Sequence, residues 1–206
     1  MILLNFESFG IFTQNIPLEF EDDILHCLEI LRQGGIILYP TDTIWGIGCD
    51  ANNAEAVKKI FLLKKRPETR SMIVLLADPR DINRYVSNPQ PYIAQYLEKT
   101  TRPTTVIYEG ALILAENLIS EDGSVAIRIV REDFCRHLIK RFKRPLVSTS
   151  ANISGQESPL NFAGIANEII QGVDYVVKYR QREDVPAKAS TLIRFTQSGE
   201  PVILRS

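Results

Sequence analysis

Residues 21–39, EDDILHCLEILRQGGIILY, contain the unit whose repetition decides the fold. Glu21, Asp22 and Asp23 suit the positive end of a helix, Ile24, Leu28 and Leu31 recur on one helical face, and Gly34-Gly35 stops it. Ile36 to Tyr39 then reads as a short strand closed by Pro40. The spacing therefore predicts a helix over 21–33 running directly into a strand over 36–39. The pattern recurs. Asn52 and Glu55, in capping-box spacing, open a helix in which Val57, Ile60, Phe61 and Lys64 fall at helical offsets until Pro67 forbids continuation. Met72 to Ala77 is a nearly continuous apolar run, as in a strand covered on both faces. Helices alternating with strands are the α/β signature.

Further along, Asp78-Pro79 reads as a helix start, Pro91 to Leu97 as a short helix and Thr104 to Tyr108 as a strand. Ser124 to Val130 alternates, with Ala126 and Arg128 on one face and Val125, Ile127 and Ile129 on the other. A helix over Glu132 to Phe142 leads into a strand over Leu146 to Thr149, and a helix over Asn161 to Ile170 leads into a strand over Val173 to Tyr179. Ala189 to Phe195 and Pro201 to Leu204 are the last two expected strands. Glu109 to Asp122 and Tyr179 to Lys188 carry the weakest periodicity and read as candidate lids. Without a repeat or a polar linker, one domain over 1–206 is expected.

Composition narrows the function. The chain has 206 residues, 45% hydrophobic and 24% charged, with 24 Lys and Arg against 25 Asp and Glu. A domain of this length buries roughly 70% of the surface of its unfolded chain and needs no disulfide or metal staple. The charge balance excludes a uniformly basic nucleic-acid binder but leaves room for a local basic cleft. No apolar run approaches the roughly 20 residues of a membrane span. The first ten residues carry Glu7 and no basic residue, unlike a signal or transit peptide, so a cytoplasmic protein without a membrane partner is expected. Cys27, Cys49 and Cys135 lack CxxC spacing, and His26 and His137 stand in helical segments without metal-ligand spacing, so no metal site is expected. GxSxG, GxxxxGK[ST] and GxGxxG are all absent, so neither a serine-hydrolase elbow nor a P-loop or Rossmann site is available.

Three polar clusters stand at strand ends, where α/β sheets usually place ligands. Pro40-Thr41-Asp42-Thr43-Ile44-Trp45-Gly46-Ile47-Gly48 combines hydroxyls, a carboxylate and glycines that admit a small polar ligand to the backbone; the same residues also make an ordinary turn. Lys58, Lys59, Lys64, Lys65, Arg66 and Arg70 concentrate cations that suit a polyphosphate, although by charge pattern alone a solvated face and a helix C-terminus are the leading explanation, one that fits Lys58 and Lys59 well and Arg66 and Arg70 less well. Ser148-Thr149-Ser150-Ala151-Asn152-Ile153-Ser154-Gly155 can cap a helix or cradle phosphate and base atoms.

Taken together, Pro40-Thr41-Asp42-Thr43 with Trp45-Gly46, Lys64-x-Arg66-Pro67 before Met72-Ile73-Val74, Ala126-x-Arg128 and Thr149-Ser150-Ala151-Asn152-x-Ser154-Gly155 resemble the YrdC/TsaC family over Ile24 to Arg205. The chain looks like that family's short, single-domain form. The resemblance implies an open, twisted mixed α/β sheet with flanking helices and a concave basic cleft. It also implies L-threonylcarbamoyladenylate synthesis: L-threonine, bicarbonate and ATP give threonylcarbamoyl-AMP and pyrophosphate, and a separate transferase complex passes the group to tRNA. By motif, Lys64, Arg66, Ser150, Asn152 and Arg205 are expected to bind ATP, and Thr41, Arg128 and Ser190 to bind threonine. Mg²⁺ is expected with the nucleotide, and direct contact with tRNA is left open. Such chemistry needs positioning and charge neutralisation more than a protein nucleophile, which agrees with the missing catalytic His and Cys.

The sequence departs from the family at Thr101-Arg102-Pro103, where Pro-Gly-Pro is common, and at Ile129-Val130, where a proline is usual. Arg102 adds a cation near the expected cleft. Two other readings stay open: an RNA-binding module that uses the basic cleft without catalysis, and carbamoyl transfer to an acceptor other than threonine.

Overall fold

The structure, a computed structural model, describes residues 18–67, 72–184 and 188–206. In chain order its elements are α1 (Glu21–Arg32), β1 (Ile37–Tyr39), β2 (Gly46–Gly48), α2 (Ala54–Leu63), β3 (Ile73–Leu76), α3 (Ile82–Tyr85), α4 (Pro91–Lys99), β4 (Thr104–Tyr108), β5 (Val125–Ile129), α5 (Asp133–Phe142), β6 (Leu146–Ser150), α6 (Asn167–Gly172), β7 (Tyr175–Val176), β8 (Thr191–Phe195) and β9 (Pro201–Arg205). The strands form one nine-stranded open sheet in the order β7-β1-β2-β6-β3-β5-β4-β8-β9. The pairs β1/β7, β3/β5 and β4/β8 are parallel and the others antiparallel. No helix among the described residues is long and apolar enough to cross a membrane.

Register separates a packed face from a ligand face. Val147, Val74, Ile127, Val106 and Ile193 follow one another across five strands, and all are buried. The apolar stripes of α1 (Ile24, Cys27, Leu28, Leu31), α2 (Val57, Ile60, Phe61) and α5 (Phe134, Leu138, Ile139, Phe142) supply most of the remaining core. One residue along each strand, the opposite face carries Ser148, Ile73, Ala126, Ile107 and Arg194 in register. The parity that puts Arg128 opposite Val125, Ile127 and Ile129 is as the sequence predicts.

The α1-to-β1 unit forms as read. Gly34 takes φ +72 and donates to the Leu31 carbonyl, which closes the helix within one residue of its last turn. Four readings are corrected. The cap of α2 is Asn53, whose side chain accepts from the amides of Glu55 and Ala56, so the Asn52/Glu55 spacing is coincidental. Pro40 to Gly48 is not all loop, because its last three residues are a central strand between β1 and β6. The expected helix over Asn161 to Ile170 breaks into a 3₁₀ turn at Phe162–Gly164, where Asn161 accepts from the Gly164 amide, followed by the short α6. The strand expected over Val173 to Tyr179 pairs only at Tyr175 and Val176. Within Glu109 to Asp122, the first segment read as a candidate lid, the Ala115 amide donates to the Ala51 carbonyl and the Asn117 side chain to the Ala54 carbonyl. In the second segment read as a lid, Tyr179 to Lys188, residues 185–187 lie outside the described residues, as does Arg70.

Candidate active site

The ligand face holds two joined cavities. A small one of about 150 Å³ is lined by Thr43, Ser148, Ser150, Arg128, Ser190 and Arg205, among others. A larger one of about 590 Å³ extends over Ile107, Asp122, Ala126, Leu192 and Arg194. Arg66, Met72, Ile73 and Arg205 line both, so the two are lobes of a single cleft with two arginines at the junction.

Each polar residue reaches the small lobe for a local reason. Ser148 and Ser150 are alternate residues of β6 and therefore share the ligand face. Gly46 in β2 faces them, and a Cβ built there would lie 3.0 Å from the Ser148 hydroxyl, so glycine keeps the lobe open. Arg128 sits mid-strand in β5, 3% exposed, with Nη2 3.2 Å from Asp42 Oδ1. Its Nε has no hydrogen-bond partner, which leaves a buried donor at the cavity wall. Ser190 shares a 2.7 Å hydrogen bond with Thr105, and its carbonyl accepts from Arg205 Nη2 at 3.1 Å. Burial and the nearby Arg128 lower the Arg205 pKa, as expected for two guanidinium groups facing one small space.

Of the eight residues singled out from sequence, Arg66, Arg128, Ser150, Ser190 and Arg205 line the cleft. Thr41, Lys64 and Asn152 stand behind its wall. The Thr41 hydroxyl accepts from the Thr43 amide and donates to the Ile44 carbonyl, shaping the loop that presents Thr43. Lys64, 1% exposed at the C-terminal end of α2, donates to the carbonyls of Ser150 and Asn152. Burial first, then Arg66, lowers its amine pKa to about 7. The Asn152 amide donates to the carbonyls of Ile153 and Gln156, while its Oδ1 is buried without a partner. Arg102 lines a separate crevice of about 210 Å³ with Pro79, Ile82 and Leu97, not the cleft.

Thr43 and Ser148 stood in the sequence only as members of two polar clusters, without a role of their own, and Arg194 was missed as a lining residue. Ser148 was findable, because it has the same strand parity as Ser150. Arg194 was not, because only the pairing of β8 with β4 places it beside Ile107.

The chemistry available is anion binding. Four arginines and a set of hydroxyls surround the cleft, against Glu121 and Asp122 at the rim of the larger lobe. Burial raises the pKa of all three cysteine thiols, so none is a thiolate at neutral pH. Among the described residues no three His, Cys, Asp or Glu side chains gather as a metal-ligating group. The cationic cleft therefore does not fit a divalent ion held by the protein itself.

A twisted, open mixed sheet that gathers arginines and hydroxyls around two joined cavities defines an α/β protein built to bind anionic small molecules. The chain belongs to the Sua5/YciO/YrdC family, whose model, described as "Telomere recombination", matches residues 29–206. The threonylcarbamoyl-AMP synthase of Pseudoalteromonas translucida is 29% identical over 160 residues, 76% of this chain and 86% of the relative. That of Psychromonas ingrahamii is 32% identical over 144 residues, 68% of this chain and 75% of the relative. Among solved structures, P. abyssi Sua5 complexed with L-threonine superposes with a TM-score of 0.76 at 26% identity, covering 88% of this chain. The chain spans 53% of that Sua5 chain.

Proposed function

We propose that the protein is an L-threonylcarbamoyladenylate synthase, a nucleotidyltransferase that joins L-threonine, bicarbonate and ATP into threonylcarbamoyl-AMP with release of pyrophosphate and water. The observation that carries this reading is the division of one cleft into a small lobe with a buried arginine and a larger lobe, with Arg66 and Arg205 at the junction. Support comes also from the relatives named for this activity and from the L-threonine bound by P. abyssi Sua5.

In this reading the small lobe takes threonine. The Arg128 guanidinium, which lines the small lobe, receives the carboxylate, and Thr43, Ser148 and Ser190 offer hydroxyls to the rest of the molecule. Bicarbonate loses water to give carbon dioxide, the threonine amine adds to it and gives up a proton to solvent, and the resulting carbamate oxygen attacks the α-phosphorus of ATP, in line with departing pyrophosphate. Arg66 and Arg205 stand where both substrates meet and neutralise the charge that moves there. Lys64 acts through the loop it supports, fixing the backbone of Ser150 to Asn152 from beneath. Mg²⁺ arrives as part of the nucleotide substrate. The product passes to a tRNA threonylcarbamoyl transferase.

Steady-state pyrophosphate release tests the reading. It is expected to require L-threonine, bicarbonate and ATP together; release that ignores threonine refutes it, and tight, salt-sensitive tRNA binding without any release supports an RNA-binding module instead.

A further inference from the structure

Under the proposed function one cleft must sort two anions, an amino-acid carboxylate and a polyphosphate, and its arginines are held in unlike ways. Arg128 has a counter-ion, with Asp42 Oδ1 3.2 Å from its Nη2. Neither that oxygen nor Arg128 Nε has a hydrogen-bond partner, so charge rather than a directional bond holds the pair. Asp42 is itself fixed, because its Oδ2 accepts the Arg131 amide at 3.1 Å. The Arg131 guanidinium in turn donates to the carbonyls of Leu97, Thr100 and Thr101 at the end of α4, which satisfies acceptors that a helix C-terminus leaves open. Arg205 is different: it donates to Ser190 and has no acidic partner among the described residues. It lines both lobes, whereas Arg128 lines only the small one.

We propose that Asp42 is a positioning and specificity residue that sorts the substrates: it neutralises Arg128, so that this guanidinium takes the threonine carboxylate, while the polyphosphate goes to Arg205 and the larger lobe. The reason is the difference between charge and geometry. A polyphosphate is drawn by net charge and gains little from an arginine already paired with a carboxylate. L-threonine, a zwitterion without net charge, loses little from that pairing, and its carboxylate still accepts a directional hydrogen bond from the part of Arg128 that lines the small lobe. Without Asp42, Arg128 and Arg205 become two uncompensated cations in about 150 Å³, the better seat for phosphate.

This inference rests on the proposed function and is tested by titrating L-threonine into the full chain by calorimetry, with and without inorganic pyrophosphate, for wild type, Asp42→Asn and Asp42→Glu. Pyrophosphate is expected to leave the wild-type Kd for threonine within twofold and to raise that of Asp42→Asn about tenfold or more. Asp42→Glu, which keeps the charge, is expected to restore most of the wild-type behaviour. Competition of equal size in wild type and Asp42→Asn overturns the sorting role. Strong competition in wild type alone also overturns it, so the test stands even if Asp42→Asn does not fold. A wild-type protein that takes up no threonine refutes the proposed function itself, and the inference with it.

Discussion

Replacing Lys64 by methionine gives a stability change with a distinctive dependence on pH. The amine is 1% exposed and has its pKa lowered from 10.5 to about 7, mainly by burial. An unfolded lysine keeps its proton up to pH 10.5, whereas the folded one releases it near 7. Between those values the unfolded state binds more protons, so stability rises with pH across the window; below pH 7 both states are protonated and the contribution is flat. The full depression corresponds to a ceiling of about 5 kcal/mol, and the slope cannot exceed about 1.4 kcal/mol per pH unit. The two carbonyl acceptors favour the ammonium form and reduce both figures. Lys64→Met removes the titration and leaves the Ser150 and Asn152 carbonyls without their donor, at about 1–3 kcal/mol each. Urea unfolding followed by the fluorescence of Trp45, the single tryptophan, buried against Phe162, reads the difference. The stability of wild type minus that of Lys64→Met is expected to rise by up to about 3 kcal/mol between pH 7 and pH 9.5. A gap that stays constant over that range refutes the reasoning.

Two further substitutions test the frame around the cleft. Gly48→Ala places a Cβ 2.4 Å from the Val147 carbonyl oxygen and 2.6 Å from the Tyr39 ring, so a loss of about 3 kcal/mol or more is expected in thermal or urea unfolding; a Tm unchanged from wild type contradicts the packing. Asn53→Ala removes the cap of α2 and should cost about 1 kcal/mol, against a smaller cost for Asn52→Ala, whose side chain reaches only the Ile113 carbonyl. Equal losses contradict the assignment of the cap.

The elements legible in sequence are those whose signals are local. The span of α1, the stop at Gly34-Gly35 and the parity of β5 follow from periodicity and backbone sterics, and the structure has them where they were expected. Strand β2 was hidden because Gly46-Ile47-Gly48 has the composition of a turn. Its glycines answer to distant residues, the Tyr39 ring and the Val147 carbonyl at one position and Ser148 at the other. The same distinction applies to the site. Arg128 could be placed on the ligand face from its strand alone, but its pairing with Asp42, across 86 positions of chain, arises only once the sheet is assembled. Lys64 was legible as part of a motif, yet whether its amine would face a phosphate or two backbone carbonyls depends on the loop after β6.

Under the proposed function this cleft joins three small molecules into one adenylate. Incubating the protein with ATP, L-threonine and ¹³C-bicarbonate and analysing the nucleotides by mass spectrometry tests it most directly. An adenylate with the mass of threonylcarbamoyl-AMP is expected, carrying one ¹³C and absent when threonine is omitted. A reaction that consumes ATP but yields only unlabelled nucleotide, or the same products without threonine, contradicts it.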